Sequence, residues 1–167
     1  MHDRLTKQDI EKMEKEIEER KLKLRPELIE AVKEARAQGD LSENFEYYAA
    51  KREKNQNESC IRYLENMIRT AVIVEDHGGD DEVTMNKSVE VYFPDDDETE
   101  TYRIVTTIRG NSLKGLISID SPLGKALLHH KVGDTVEVHV NKTTSYEVEI
   151  RSISAAADEE EDEIRKF

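Results

Sequence analysis

The chain has 167 residues, enough for one ordinary domain or two small ones. With 36% hydrophobic and 38% charged residues it can bury only a modest core, so part of it is expected to be extended. A net charge of -13 excludes a general duplex-DNA binder, because phosphate binding needs clustered Lys and Arg, although a local basic patch remains open.

Charge and composition divide the chain. Residues 1–74 carry 15 Lys/Arg and 16 Asp/Glu, whereas residues 75–167 carry 10 and 22. The single cysteine, Cys60, rules out an internal disulfide and a cysteine-based metal cluster. No apolar run approaches the roughly 20 residues of a membrane span. The opening M-H-D-R-L-T-K lacks the apolar stretch of a signal peptide, which makes a cytoplasmic setting the expectation.

Residues 6–38 are almost all good helix formers, with Thr6 as a candidate N-cap. Ile10, Met13, Ile17 and Leu24 recur at helical spacing, and Leu28, Ala31 and Ala35 continue the stripe slightly out of register. So narrow a seam is that of a coiled coil. Pro26 interrupts it and predicts a kink, or a fresh helix with Pro26 in its first turn. A second helical pattern covers residues 43–72, with its stripe at Ala50, Asn57, Ile61, Leu64, Ile68 and Ala71. Gly39, between the two, is placed for a left-handed helix stop. The short connection makes the helices antiparallel neighbours, in a rod about 45–50 Å long.

After H-G-G-D-D (77–81) the period changes from 3.6 to 2. Val89, Val91 and Phe93 alternate, P-D-D-D (94–97) is a turn, and Y-R-I-V (102–105) and G-L-I-S-I (115–119) read as strands. S-P-L-G-K-A-L-L (121–128) gives one short helix, with Pro122 in its first turn. V-G-D (132–134) turns into T-V-E-V-H-V, and Y-E-V-E-I closes the set. The expected fold class is therefore α+β: a helical hairpin over residues 1–75, a linker at 76–86, a small β-rich domain over 87–154, and an acidic tail at 155–167. The tail contains six consecutive acids, Asp158 to Glu163.

Between the helical patterns stands G-D-L-S-E-N-F-E (39–46). Asp40 and Glu43 have the spacing of a capping box at the start of the second helix. They also have the spacing of two hard oxygen donors suited to Mg²⁺, although two carboxylates alone hold that ion weakly. Spacing leaves both open, and one pair could serve both. His129 and His130 lack the neighbours of a zinc site, and Cys60 beside the apolar stripe reads as a small packed residue.

The run A-R-A-Q-G-D-L-S-E-N-F-E-Y-Y-A-A-K (35–51) resembles the signature of the bacterial Gre (GreA/GreB) transcript-cleavage factors, nearest its GreA branch. L-T (5–6), R-P-E (25–27), I-S-I-D-S-P-L-G-K-A-L-L (117–128) and K-V-G-D-T-V-E-V (131–138) extend the similarity over roughly residues 4–153. The resemblance implies an antiparallel coiled coil followed by an FKBP-like domain without isomerase activity. It implies RNA polymerase as partner, with the second domain docking at the rim of the secondary channel through Asp120, Ser121, Pro122 and Leu123. The coiled coil would enter the channel and meet the nascent RNA 3′ end. Asp40 and Glu43 would help the polymerase hold a second Mg²⁺ that is not stably bound by this chain. The family places a basic patch against the transcript, which assigns Arg36, Lys51, Arg52 and Lys54 to RNA contact. Phe45 replaces the family's usual small residue; stacking on an extruded base and local packing are both open. The chain would be a monomeric protein cofactor of polymerase, with no membrane partner and no enzyme activity of its own. The alternative is a channel-binding regulator without cleavage.

Overall fold

The computed structural model describes residues 3–39, 44–75, 79–155 and 162–164. The chain divides into two compact units. One comprises Ile10–Ala71; the other joins Arg4–Asp9 to the chain from Val72 onward. The class is α+β, as the pattern change near residue 80 predicts.

The first unit is built from α1 (Lys7–Glu19, whose first residues belong to the other unit), a π-helical turn at Arg20–Leu24, α2 (Arg25–Ala37) and α3 (Phe45–Thr70). Pro26 stands in the first turn of a new α-helical segment, one of the two outcomes its position predicts. The turn before it widens, and the Arg25 amide donates to the Arg20 carbonyl five residues back. A π turn is a known way to absorb an irregularity in the i→i−4 ladder, and a Pro that lacks its N–H and crowds the preceding turn is one such cause. Leu24, the cap residue of α2, stays in right-handed helical geometry, so the run passes through.

α2 and α3 are antiparallel. Arg25 forms a two-pronged pair with Glu58 (Nε–Oε1 2.7 Å, Nη2–Oε2 2.9 Å), and Arg36 meets Tyr47. Met13, Ile17, Ala35, Ile61 and Leu64 of the expected stripe are buried, joined by Cys60 and Met67, while Ile10, Leu24, Leu28, Ala31, Ala50, Ile68 and Ala71 are half-buried. Burial pushes the Cys60 thiol up, as expected of an inert packed cysteine.

Within that seam sits a polar residue, Asn57, 3% exposed. Its Oδ1 accepts from Arg20 Nη1 at 3.0 Å, and its Nδ2 donates to the Arg20 carbonyl at 3.2 Å. The pairing locks α3 to the π turn and fixes the register, as a polar seam residue does in coiled coils. Asn57→Ala removes both bonds while leaving the Arg20 carbonyl in place. We expect a loss of about 1–2 kcal/mol in urea unfolding. An unchanged midpoint would show that the pairing contributes no stability.

The second unit holds a five-stranded sheet in the order β5-β4-β3-β7-β6. Its strands are β3 (Ser88–Phe93), β4 (Glu98–Val105), β5 (Leu116–Ser118), β6 (Thr135–His139) and β7 (Ser145–Ile153). All pairings are antiparallel except β4 with β5. β3 and β4 are joined by the expected Pro94–Asp97 turn, where Asp97 takes a left-handed φ of 51°. Val89, Val91, Ile104, Val136, Val138, Val148 and Ile150 form one core with Val83, Met85 and Ile119. The short helix α4 (Pro122–Leu127) adds Leu127 to it. Two further short strands, β1 (Arg4–Leu5) and β2 (Val72–Ile73), pair in parallel. Neither has the alternating pattern that would reveal it in the sequence. Among the described residues no helix is long and apolar enough to cross a membrane.

Candidate functional site

Asp40 and Glu43 lie outside the described residues. What can be established is how the helix after them begins. The N-cap of α3 is Asn44, whose Oδ1 accepts from the Tyr47 amide at 3.0 Å. Its Nδ2 donates to the Ala35 carbonyl at 2.5 Å, so one side chain closes both the start of α3 and the last turn of α2. This corrects the expectation of a capping box on Asp40. α3 starts at Phe45, two residues later than its apolar pattern suggests, and Asn44 takes the cap. Gly39 does not adopt the left-handed stop either; α2 ends on Gln38 in right-handed geometry. A true reciprocal box stands elsewhere, at Thr6 and Asp9. The Asp9 amide donates to Thr6 Oγ1 at 3.1 Å, and the Thr6 amide donates to Asp9 Oδ2 at 2.9 Å.

The remaining candidates of the hairpin fall into two groups. Helical spacing puts Tyr47, Lys51 and Lys54 on one face of α3, and Phe45, Tyr48 and Arg52 on the other. Arg36 reaches across from α2 to the first group. Its guanidinium lies 5.5 Å from the Tyr47 ring centre, and Nη2 donates to the Tyr47 hydroxyl at 3.3 Å. That bond, with the charges of Lys51, Arg36 and Lys54, holds the Tyr47 phenol below its ordinary value against the opposing effect of burial. A depressed phenol reports positive potential, which is what an anionic ligand seeks. Phe45 is 85% exposed, so local packing does not account for it. An open groove of about 1020 Å³ is lined by Arg20, Leu28, Tyr48, Lys51, Arg52 and Tyr63 among others. Aromatic rings interleaved with cations suit single-stranded nucleic acid.

In the second unit, the four residues grouped as docking candidates do unlike things. Asp120 is exposed, and accepts from Arg4 Nη2 at 2.6 Å and from Thr107 Oγ1 at 2.8 Å. Ser121 is the N-cap of α4: its Oγ accepts from the Gly124 amide at 3.0 Å and donates to the Ser118 carbonyl at 2.6 Å. Leu123 packs against the core. Of the four, Asp120 and Pro122 are exposed, and Ser121 and Leu123 are half-buried. The turn is rigid, because a Cβ on Gly124 would overlap the Ser118 carbonyl oxygen.

Burial alone would raise the Asp120 carboxyl, but the bonds from Arg4 and Thr107 and the charges of Arg4 and Lys125 hold it below the usual range. A carboxyl depressed by folding contributes stability that is complete above its unfolded pKa of about 3.9 and is lost as pH falls through the folded value. Thermal unfolding followed from pH 6 downward should therefore fall less steeply below about pH 4 for Asp120→Asn than for the wild type. Identical acid limbs would remove this ion pair from the account.

Sequence reasoning named Thr6 as a cap, which its bond from the Asp9 amide bears out, but missed Asn44, Arg4 and the role of Asp9. Only the last left a readable signal, the T-x-x-D spacing at 6–9. Among the described residues no group of three or more His, Cys, Asp or Glu could hold a metal ion. His129 instead pairs with Glu82 at 2.7 Å.

A helical hairpin ending in a basic-aromatic patch, together with a small β domain bearing a stiff acidic turn, defines a two-module binding protein. The family comparison agrees. Residues 4–73 match the N-terminal model of transcription elongation factors, and residues 78–155 match the C-terminal GreA/GreB model. A curated GreA of Staphylococcus saprophyticus is 42% identical over 149 residues, covering 89% of this chain and 94% of the relative. One from Geobacillus kaustophilus is 49% identical over 135 residues, covering 80% and 85%. Among solved structures, GreA factor homolog 1 (Gfh1) of Thermus thermophilus is 28% identical, covers 93% of this chain and 100% of its own, and superposes with a TM-score of 0.42. The chain belongs to the GreA/GreB transcription elongation factor family.

Proposed function

We propose that this protein enters the secondary channel of RNA polymerase with its helical hairpin and stimulates Mg²⁺-dependent cleavage of the 3′ end of backtracked RNA, so that elongation resumes. It acts as a protein cofactor in the cytoplasm, and the hydrolytic activity belongs to the polymerase. The observation that carries the reading is the cap arrangement. Asn44 closes both helices, so Asp40 and Glu43 are not needed to start α3 and are available for other chemistry.

Two carboxylates are hard donors that fit Mg²⁺ but are too few to hold it alone, so Asp40 and Glu43 would hold it only together with the polymerase's own ligands. A second metal ion supplies charge neutralisation and an activated water in phosphodiester hydrolysis. The chain's own residues do the positioning. Arg36, Lys51 and Lys54, gathered round Tyr47, attract the phosphates of the extruded RNA, and Phe45 and Arg52 offer stacking for its bases. Asp120 and Pro122 form the docking surface, with Ser121 and Leu123 fixing its shape from behind.

The test is a purified, artificially backtracked elongation complex with Mg²⁺ and the full-length protein. Release of a 3′ RNA fragment is expected. The exposed Phe45 favours one other reading, a ring that obstructs the channel. That reading gains if the protein slows nucleotide addition in a dose-dependent way and releases no fragment.

A further inference from the structure

Among the described residues of the acidic tail is Asp162. The Asp162 side chain is 8% exposed and faces two guanidinium groups at once. Its Oδ1 accepts from Arg103 Nη1 at 3.0 Å. Its Oδ2 accepts from Arg103 Nη2 and, at 2.8 Å, from Arg109 Nη1. Burial alone would raise this carboxyl, but the two arginines hold it below the usual range.

The seat is built without the tail. Arg109 has no exposed side-chain surface, and Asp9, Thr106 and Asn86 hold it in place. Its Nε lies 2.7 Å from Asp9 Oδ1 and donates to Thr106 Oγ1 at 3.2 Å; its Nη1 donates to Asn86 Oδ1 at 2.7 Å. Arg103 projects from β4, 16% exposed, and its buried Nε finds no hydrogen-bond acceptor among the described residues. Arg103, Arg109, Asp9 and Asp162 together are formally neutral. Without Asp162 the same fixed arrangement carries an excess positive charge and several N–H donors aimed at one point. The family match ends at residue 155, so the residue that fills this seat lies beyond it.

We propose that Arg103 and Arg109 form an oxyanion-binding site on the β-rich unit, suited to a phosphate group, and that Asp162 is a tethered occupant that closes it. Phosphate is the fitting class on two grounds. Paired guanidinium forks match its geometry and charge. Its additional oxygens can serve Arg103 Nε, which the two oxygens of a carboxylate leave unserved. The tail sets the threshold. A ligand attached by a short segment competes at an effective concentration in the millimolar range, so outside phosphate binds only weakly until the tail yields.

Titration of the full-length protein with inorganic phosphate, at ionic strength matched with sodium chloride and followed by the Nε–Hε resonances of Arg103 and Arg109, tests this. The wild type should show a weak saturable shift. Asp162→Asn should bind phosphate about tenfold more tightly. Adding Arg103→Gln to Asp162→Asn should abolish the gain. Equal affinity in wild type and Asp162→Asn would overturn the competition, and a gain that survives Arg103→Gln would overturn the site. Should Asp162→Asn fold poorly, the wild type alone decides: those resonances unmoved by phosphate would also overturn the proposal.

Discussion

Asp40→Ala and Glu43→Ala are each expected to lower stimulated RNA cleavage by about 100-fold or more, while leaving polymerase binding and the thermal stability of the hairpin nearly unchanged. The two parts of this expectation test different things. If the carboxylates only started α3, their removal would cost roughly 1 kcal/mol of helix stability, as loss of a cap does. The cap of α3 is Asn44, so that cost should follow Asn44→Ala instead. Cleavage should follow the acids, because a metal shared between two proteins loses its second set of ligands when either carboxylate goes. The comparison is made in a backtracked complex with Mg²⁺, using the three variants and wild type at saturating concentration, with melting curves alongside. Normal cleavage by Asp40→Ala and Glu43→Ala would end the metal-delivery reading. Reduced cleavage with a matching fall in melting temperature would return them to a structural role.

The architecture was legible because its signals are periodic. Ile61 and Leu64 at helical spacing, and Val89 and Val91 in alternation, report burial on one face, and all four are buried. Strands with turns between them were readable for the same reason. The helix ends were less so, because several side chains compete to cap them. D-L-S-E-N offers Asp40, Ser42 and Asn44 as candidate caps, and spacing alone favoured Asp40 with Glu43 three residues on. The reach of Asn44 back to the Ala35 carbonyl, a contact nine residues away, made the difference. Long-range polar contacts leave no pattern at all. Nothing in the sequence pairs Arg109 with Asp9, 100 positions earlier, or Asp162 with Arg103. Six acids in a row read as a solvated tail, yet the Asp162 side chain is 8% exposed. The candidate RNA-contact residues came from the family resemblance and not from any periodic pattern. Their division between two faces of α3 follows from the 100° step of the helix and was available in principle.

Arg109→Met is expected to destabilise the β-rich unit by about 3–5 kcal/mol, the largest stability effect of any single change proposed for this protein. The guanidinium and the Asp9 carboxylate both have no exposed side-chain surface, at 2.7 Å. Removing the cation leaves Asp9 buried beside neutral donors, the Thr106 hydroxyl at 2.7 Å and the Thr6 amide among the described residues. That residual charge, more than the lost pair, accounts for the cost. It follows that the penalty should not be additive. Asp9→Asn in the Arg109→Met background keeps the capping side chain and removes the stranded charge, so the double variant should be more stable than Arg109→Met alone. Urea unfolding of wild type, both single variants and the double variant closes the cycle. A double variant less stable than the wild type by the sum of the two single losses would mean that Arg109 and Asp9 act independently and that the ion pair between them contributes no coupling.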